Sequence, residues 1–458
     1  MKNKRIKLVS LSLIVAGLSA ACSWLGFSTA KKAAPDELFY VSKYNSDTKN
    51  STHGFMDKTG KIVVGPFESF DAGGKKYGGE GGKTAFQFKP FIEGLAGICF
   101  ADETPILPEK AKCGFIDKTG KIVIEPKYNQ ISYFSEGLAA VSVDSDPYTA
   151  KFGYIDRTGK QIIEPKFMSK AAFNDGLAVV SELVGKEIKQ GYIDKTGKYV
   201  IEPKYTLATS FGDGHAIVEN AKKQKVIIDK SGKEGKIIET ESAGNTSYYY
   251  QDSFHNQFYG SYAIEKYALL PSFSEGLTML SHYLSKAKPI GFAKTDGELE
   301  IKLDPTLVGQ IRPFSEGFAP IGWEMKDKDK LAAILGTEAT EGIYDWTYVD
   351  RKGEAKVKLD DTFQDARPFS EGLAAVKTRP SKGNWGFINM EFKTAIPACF
   401  EKVSDFRAGL ASVYVVEYAN EKPGCEQYFQ AIGKEAGNFY EARNVYIDKT
   451  GKIIKPQW

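Results

Sequence analysis

Short apolar runs alternate with turn residues along most of this chain, and the alternation has the period of strands. In the stretch Tyr154-Ile155-Asp156-Arg157-Thr158-Gly159-Lys160-Gln161-Ile162-Ile163, two apolar pairs flank a polar turn. Asp156 is placed to accept a backbone N–H two residues on, and Gly159 to take the positive φ of a short bulged hairpin turn. Tyr154-Ile155 and Ile162-Ile163 are therefore predicted to be adjacent antiparallel strands. Glu164-Pro165 is expected to end the second, because proline has no N–H for the ladder. A second phrase, Phe134-Ser135-Glu136-Gly137, reads as a turn beside a large apolar anchor, with Glu136 expected to be solvated. Leu138-Ala139-Ala140-Val141 then starts another strand, whose alanines allow neighbouring sheets to approach closely.

Both phrases recur. The first begins at Gly54, Gly114, Gly153 and Gly191, in weaker form at Ile227, Gly291, Tyr348 and Gly386, and finally at Tyr446, nine copies in all. The second begins at Phe91, Phe134, Phe173, Phe211, Phe273, Phe314, Phe369 and Phe406. One unit is thus strand a (Leu-Ala-x-Val), strand b (Gly-Tyr-Ile-Asp), strand c (Lys-Ile-Val-Ile-Glu-Pro) and a crossing segment that ends in Phe-Ser-Glu-Gly. Leu38–Ser42 supplies an opening strand a and Lys452–Pro456 a closing strand c, so residues 38–458 hold nine whole units. Longer intervals mark insertions at 71–83, 239–266, 324–345 and 417–442. The expectation is an all-β tandem array of about nine three-stranded hairpin repeats. An open twisted array is favoured, since rings of blades typically have about four to eight. A β-propeller-like ring is the alternative.

These residues resemble the bacterial WG (KWG) repeat family, whose consensus has the same order of Gly-Tyr-Ile-Asp-Lys-Thr-Gly-Lys and Phe-Ser-Glu-Gly-Leu-Ala phrases. Asn384-Trp385-Gly386 carries the eponymous Trp-Gly, whereas other copies hold Cys113, Phe152 or Gln190 in the Trp position. The resemblance covers nearly everything after residue 38. It implies β-hairpin repeats and a binding role, with no particular ligand.

The first residues differ from the rest. Lys2, Lys4, Arg5 and Lys7 are followed by an uncharged run and then by Leu18-Ser19-Ala20-Ala21-Cys22. A basic segment, a short apolar segment and small residues make an export signal. The last five residues resemble a bacterial lipobox, and that resemblance implies acylation of Cys22 after removal of residues 1–21. Residues 22–37 then form a lipidated tether. The protein is expected in the cell envelope, at the outer membrane, because the residue after Cys22 is Ser23 and not Asp. Two other readings stay open: the uncharged run reaches Ala30, long enough for an uncleaved anchor, and Ala21 and Ala30 both suit ordinary cleavage.

Charge narrows the partners. The formal net charge is +3, less than the four positive charges of the export segment, so the remainder has no general electrostatic reason to bind nucleic acid. No catalytic residues, metal or cofactor are expected. Asp at the same hairpin position in successive units reads as a turn residue. His53, His215, His255 and His282 show no metal-ligand spacing, and His215 simply fills a Leu slot. The run Gly73–Gly82 lacks a phosphate-loop ending and reads as a flexible loop. The most suggestive segment is 248–267, where Tyr248, Tyr249, Tyr250, Phe254, Phe258, Tyr259 and Tyr262 would form a binding surface if exposed, or cover the core edge if not. Cys22 aside, four cysteines remain. Cys99 and Cys113 end two strands joined as a hairpin, which brings them within disulfide reach. Cys399 and Cys425 pair by elimination; buried free thiols are the competing reading. The function expected is a non-catalytic envelope lipoprotein that binds proteins or acts as a scaffold. A glycan or cell-wall module is the alternative, since the hairpin phrase is superficially similar to choline-binding repeats. An enzyme is the least supported.

Overall fold

The computed structural model describes residues 37–45, 50–72, 75–78, 85–102, 110–146, 149–169, 171–237, 273–282, 288–304, 307–324, 344–356, 363–378, 384–415, 424–432 and 444–458. They form small antiparallel sheets that follow one another along the chain, with a single described helix, Glu426–Ile432. The third unit is representative. Its sheet holds four strands in sequence order: Gln130–Ile131, Leu138–Ser142 (strand a), Phe152–Asp156 (b) and Gln161–Phe167 (c). Tyr154 pairs with Ile163 and Ile155 with Gln161, with a bulge between them. The hairpin expected from the sequence is therefore present. Strand c does not stop at Glu164-Pro165, however. It continues to Phe167, which pairs with Phe152 across a second irregularity. Pro165 lies in that irregular stretch, where its missing N–H breaks no regular ladder.

Strand c then feeds directly into the next sheet. In the eighth unit one strand, Thr394–Val403, pairs with Trp385–Asn389 through Phe400 and with Leu410–Val415 through the same residue. Burial follows this layout. Every residue of Leu138–Ser142 is buried, whereas Gln161–Phe167 is buried at every fourth position only. Strand a is thus sandwiched between sheets and strand c forms the outer edge.

The core is divided among the junctions between neighbouring sheets. Leu138, Ala140 and Tyr154 of unit three pack with Phe173, Ala178 and Val180 of unit four, and the other junctions repeat this arrangement. Among the described residues there are nine such cores. Eight join successive units. The ninth joins the last unit to the first, where Phe39, Val41 and Met56 pack with Leu410, Tyr446 and Ile454. Tyr446 donates a hydrogen bond to the Tyr40 carbonyl (3.1 Å), and the Gln457 N–H donates to the Gly60 carbonyl (2.8 Å). The tandem array of three-stranded units holds as expected, and its two ends meet. An open array of nine units has eight junctions; nine junctions make the ring, the other arrangement considered.

The insertion at 71–83 also differs from a simple loop. Ser69–Ala72 and Lys75–Gly78 form a two-stranded ribbon. Phe70 and Tyr77 close on Phe100 (5.7 and 4.7 Å between ring centroids), so the ribbon gains apolar contact that its glycines alone could not provide.

Candidate functional site

Pairing fixes which connections share an end of the ring. Leu138 lies opposite Asp156, so the Phe-Ser-Glu-Gly turn before strand a and the Asp-Lys-Thr-Gly turn after strand b sit at one end. The connections from a to b and from c to the next sheet sit at the other. The two ends are built differently.

At the turn end, each Asp-Lys-Thr-Gly loop is closed by its own aspartate. Asp156 Oδ1 accepts from the Thr158 N–H (2.9 Å), the Thr158 hydroxyl (2.6 Å) and the Lys160 N–H (3.0 Å). The Thr158 hydroxyl and these N–H donors hold the Asp156 carboxyl below its ordinary pKa. Asp57, Asp117, Asp194 and Asp448 repeat the arrangement, and Asn389 does the same with an amide oxygen. The turn glycine packs on strand c of the preceding unit. A Cβ on Gly159 would lie 3.3 Å from Ile124, and one on Gly197 2.9 Å from Ile163.

Closer to the ring axis, the Phe-Ser-Glu-Gly turns are clamped to one another. Glu93 accepts from the Glu136 and Gly137 N–H groups (2.7 and 2.9 Å). Glu136 in turn accepts from the Gly176 N–H (3.0 Å). The series continues through Asp175 to Gly214, Asp213 to Gly276, Glu275 to Gly317, Glu316 to Gly372 and Glu371 to Gly409. Serine adds a parallel link: the Ser135 hydroxyl donates to the Phe173 carbonyl (2.7 Å). The expectation that these glutamates are merely solvated is corrected here. Each carboxylate-bearing residue adopts a positive φ, 54° at Glu136. That conformation costs about 1–2 kcal/mol outside glycine, and it aims the carboxylate at the next turn. The signal available in the sequence was an acid repeated at a turn position that needed only polarity. A Cβ on Gly137, Gly176, Gly214, Gly276, Gly317, Gly372 or Gly409 would meet nothing within 4 Å, so these turns border open space.

At the opposite end the connections vary. From a to b the link is only Gly185-Lys186 in unit four, but spans 102–111 in unit two and 416–443 in unit nine. All four insertions leave from this end. Apolar side chains are exposed there: Leu183 (63%) and Val184 on the unit-four hairpin, and Val143 (62%) beside it. Two disulfides tie the same end. Cys99 faces Cys113 across adjacent strands, with Cα atoms 4.0 Å apart, and Cys399 is bonded to Cys425. The second disulfide carries the helix Glu426–Ile432 onto the core, where Tyr428 is buried against Phe400.

Of the other expected site residues, Cys22 and the aromatic series Tyr248, Tyr249, Tyr250, Phe254, Phe258, Tyr259 and Tyr262 lie outside the described residues. His215 sits on the turn end, its Nδ1 2.9 Å from the Asp213 carbonyl. Among the described residues no three His, Cys, Asp or Glu side chains converge as metal ligands would.

Comparisons with known proteins add the family. No curated protein matches the chain. Among solved structures, the chain is similar to a eukaryotic initiation factor at 8% identity, covering 91% of this chain and 94% of that one, with a TM-score of 0.46. It is also similar to BamB from Moraxella catarrhalis (11% identity, 72% and 90% covered, TM-score 0.32) and to the computationally designed Ika8 protein (12%, 78% and 98%, 0.37). Likenesses at these values carry no argument about function. The model of the WG containing repeat matches residues 114–145, 152–182, 191–223, 346–379 and 385–415. Each match runs from strand b of one unit into strand a of the next, beginning in units two, three, four, seven and eight, so the chain contains WG repeats.

Proposed function

We propose that the protein is a non-catalytic lipoprotein of the bacterial cell envelope that binds another protein through the insertion-bearing end of its ring. The observation that carries this reading is the one-sided placement of variation. Nine Asp-Lys-Thr-Gly-type turns and eight Phe-Ser-Glu-Gly-type turns recur at one end, while the insertions at 71–83, 239–266, 324–345 and 417–442 all leave from the other end. Repeat scaffolds carry specificity in such insertions, and exposed Leu183, Val184 and Val143 add apolar anchor area beside them. The carboxylates repeated along the chain support the same reading, because Asp156 and Glu136 and their counterparts spend their acceptor capacity on turns and clamps. The lipobox-like sequence ending in Cys22 supports acylation and export, and export fits the two disulfides.

Photo-crosslinking tests this directly. A photoreactive residue at Leu183 or Val143 should yield a discrete protein adduct in intact cells, and one at Lys121 or Lys160 should not. Adducts from the turn end alone would refute the assignment. Retention on defined cell-wall glycans, with no protein adduct, would put the glycan reading in its place. For the anchor, Cys22→Ala should release the protein from membranes or block processing. Normal processing and retention of that variant would remove the lipoprotein reading.

A further inference from the structure

The turn end carries exposed positive charge in a one-sided arc that includes the point where the tether enters. Lysine follows the turn glycine, or stands beside it, as Lys61, Lys121, Lys160, Lys198, Lys233 and Lys452, all exposed. They belong to units nine, one, two, three, four and five, which are consecutive around the closed ring. In each of these turns one Asp is set against two basic residues, as with Asp117, Lys118 and Lys121. The remaining three units differ. Glu298, Glu354 and Glu391 stand in their turns, and each pairs with a lysine of the same turn: Lys294 (3.1 Å), Lys356 (3.1 Å) and Lys393 (2.8 Å). The basic excess is therefore lost in units six and eight, kept by Arg351 and Lys352 in unit seven between them, and unbroken through the other six units. Of the carboxylates that could offset it, Glu93, Asp175 and Asp213 are turned toward backbone N–H groups, while Glu136 pairs with Lys195 and Glu371 with Lys449, lysines other than the six of the arc.

Glu37, the last residue before strand a of unit one, lies at this same end, where it pairs with Arg407 across the junction between units nine and one. Cys22 stands fifteen positions earlier. Fully extended, a segment of that length reaches about 50 Å, and it joins the ring at the turn end.

We infer that the turn end is the membrane-facing surface of the ring, and that its lysine arc binds the anionic headgroups of phospholipids. The inference rests on acylation of Cys22 and deepens that reading by fixing orientation: the arc lies against the bilayer and the insertion end points away from it. Lysines near an anionic surface each contribute on the order of 1 kcal/mol, and the contribution decays within a Debye length. Several weak contacts supplement a lipid anchor in this way.

The experiment uses the full-length acylated protein in vesicles of phosphatidylcholine alone or with about one third phosphatidylglycerol, a fraction that gives the surface a negative potential. Amine-reactive labelling is read residue by residue by mass spectrometry. Lys121, Lys160, Lys198 and Lys233 should label several-fold more slowly in the anionic vesicles, and the difference should vanish in high salt. Lys186 and Lys222, on connections at the other end, should label alike in both. Equal labelling of the arc in both vesicles, or slowing at Lys186 and Lys222 instead, overturns the inference. The mass of the N-terminal peptide in the same sample reports whether Cys22 is acylated, so failure of the anchor is seen separately. A second arm uses the mature chain, residues 22–458, with Cys22→Ser, so that the basic and apolar residues of the export segment do not bind vesicles themselves. It should float with anionic vesicles and not with neutral ones, and the combined K121Q/K160Q/K198Q/K233Q change should weaken that binding at least about tenfold while leaving the melting temperature in place. Undiminished flotation of the folded quadruple variant refutes the arc.

Discussion

The junction between units nine and one and the junction between units three and four bury the same kinds of residues but are fastened differently. At the third junction Glu136 accepts from the Gly176 N–H and pairs with Lys195 (3.1 Å), and the Ser135 hydroxyl reaches the Phe173 carbonyl. At the closing junction the clamp position is Ala408, which keeps the positive φ but has no carboxylate. Arg407 pairs with Glu37 instead, and backbone contacts between Gly60 and Gln457 do the rest. The apolar core is retained in both. Burial therefore sets where sheets meet, while the polar clamp varies without changing the architecture. A ring needs its last junction to be compatible with the others, not identical to them.

The largest expected effect separates the closing junction from the interior junction of units two and three by steric tolerance. A Cβ on Gly60 would lie 2.2 Å from the Lys455 carbonyl oxygen, and rigid backbone cannot yield as a side chain does. At Gly159 the neighbour is the Ile124 side chain at 3.3 Å, and at Gly137 there is nothing within 4 Å. All three have positive φ. Gly137→Ala should cost about 1 kcal/mol, the conformational penalty alone. Gly159→Ala should cost somewhat more, and Gly60→Ala on the order of 3 kcal/mol or above. Thermal melting of the three variants gives the order, and equal melting temperatures would break the comparison.

Removing one clamp comes next. Ala408 shows that alanine fits the clamp backbone, so Glu136→Ala deletes the carboxylate and little else. A loss of about 1–3 kcal/mol is expected, against no more than about 1 kcal/mol for Arg407→Ala, whose guanidinium is half exposed. Denaturant midpoints for the pair test this; a larger loss at Arg407 would mean that the closing ion pair, and not the buried seam, holds the ends together.

Acid should weaken the ring in two stages. Burial lowers the His53 pKa from its ordinary 6.5 to about 4, so the unfolded chain binds that proton more readily than the folded one. Stability should fall as pH drops from about 6.5 toward 4. His53 lies in unit one, its Nδ1 2.6 Å from the Tyr40 hydroxyl, and Tyr40 accepts from Tyr446 of unit nine. Melting against pH should show this stage, and His53→Gln should abolish it. Below it, the turn aspartates, whose folded pKa values are depressed, contribute stability that disappears as they protonate. A flat profile from pH 6.5 to 4 would contradict the burial of His53.

The smallest effect expected is at the turn aspartate itself. Asn389 closes its turn with an amide oxygen that accepts from the Glu391 and Lys393 N–H groups. Asp156→Asn should therefore change stability by less than about 0.5 kcal/mol, and Asp156→Ala by about 1 kcal/mol. Matching losses for the two would show that charge, not geometry, is what the turn requires.

The hairpin period was legible in the sequence because its causes are local. Asp156 and Gly159 fix the turn within five residues, and side-chain alternation fixes which faces of Tyr154–Ile155 and Ile162–Ile163 are apolar. The same locality places Cys99 opposite Cys113. Three features depended on residues far apart in the chain. Strand c passes Pro165 because Phe152 of strand b pairs with Phe167 beyond it and the core shared with the next sheet buries Phe167. Glu136 is a clamp because the Gly176 N–H of the following unit points at it. The ends meet because the rotation from sheet to sheet, accumulated over eight junctions, brings Tyr446 to Tyr40 and makes the ninth. No turn or strand encodes that sum. The repeat determined the unit and its number, and only packing across the junctions decided that the units close.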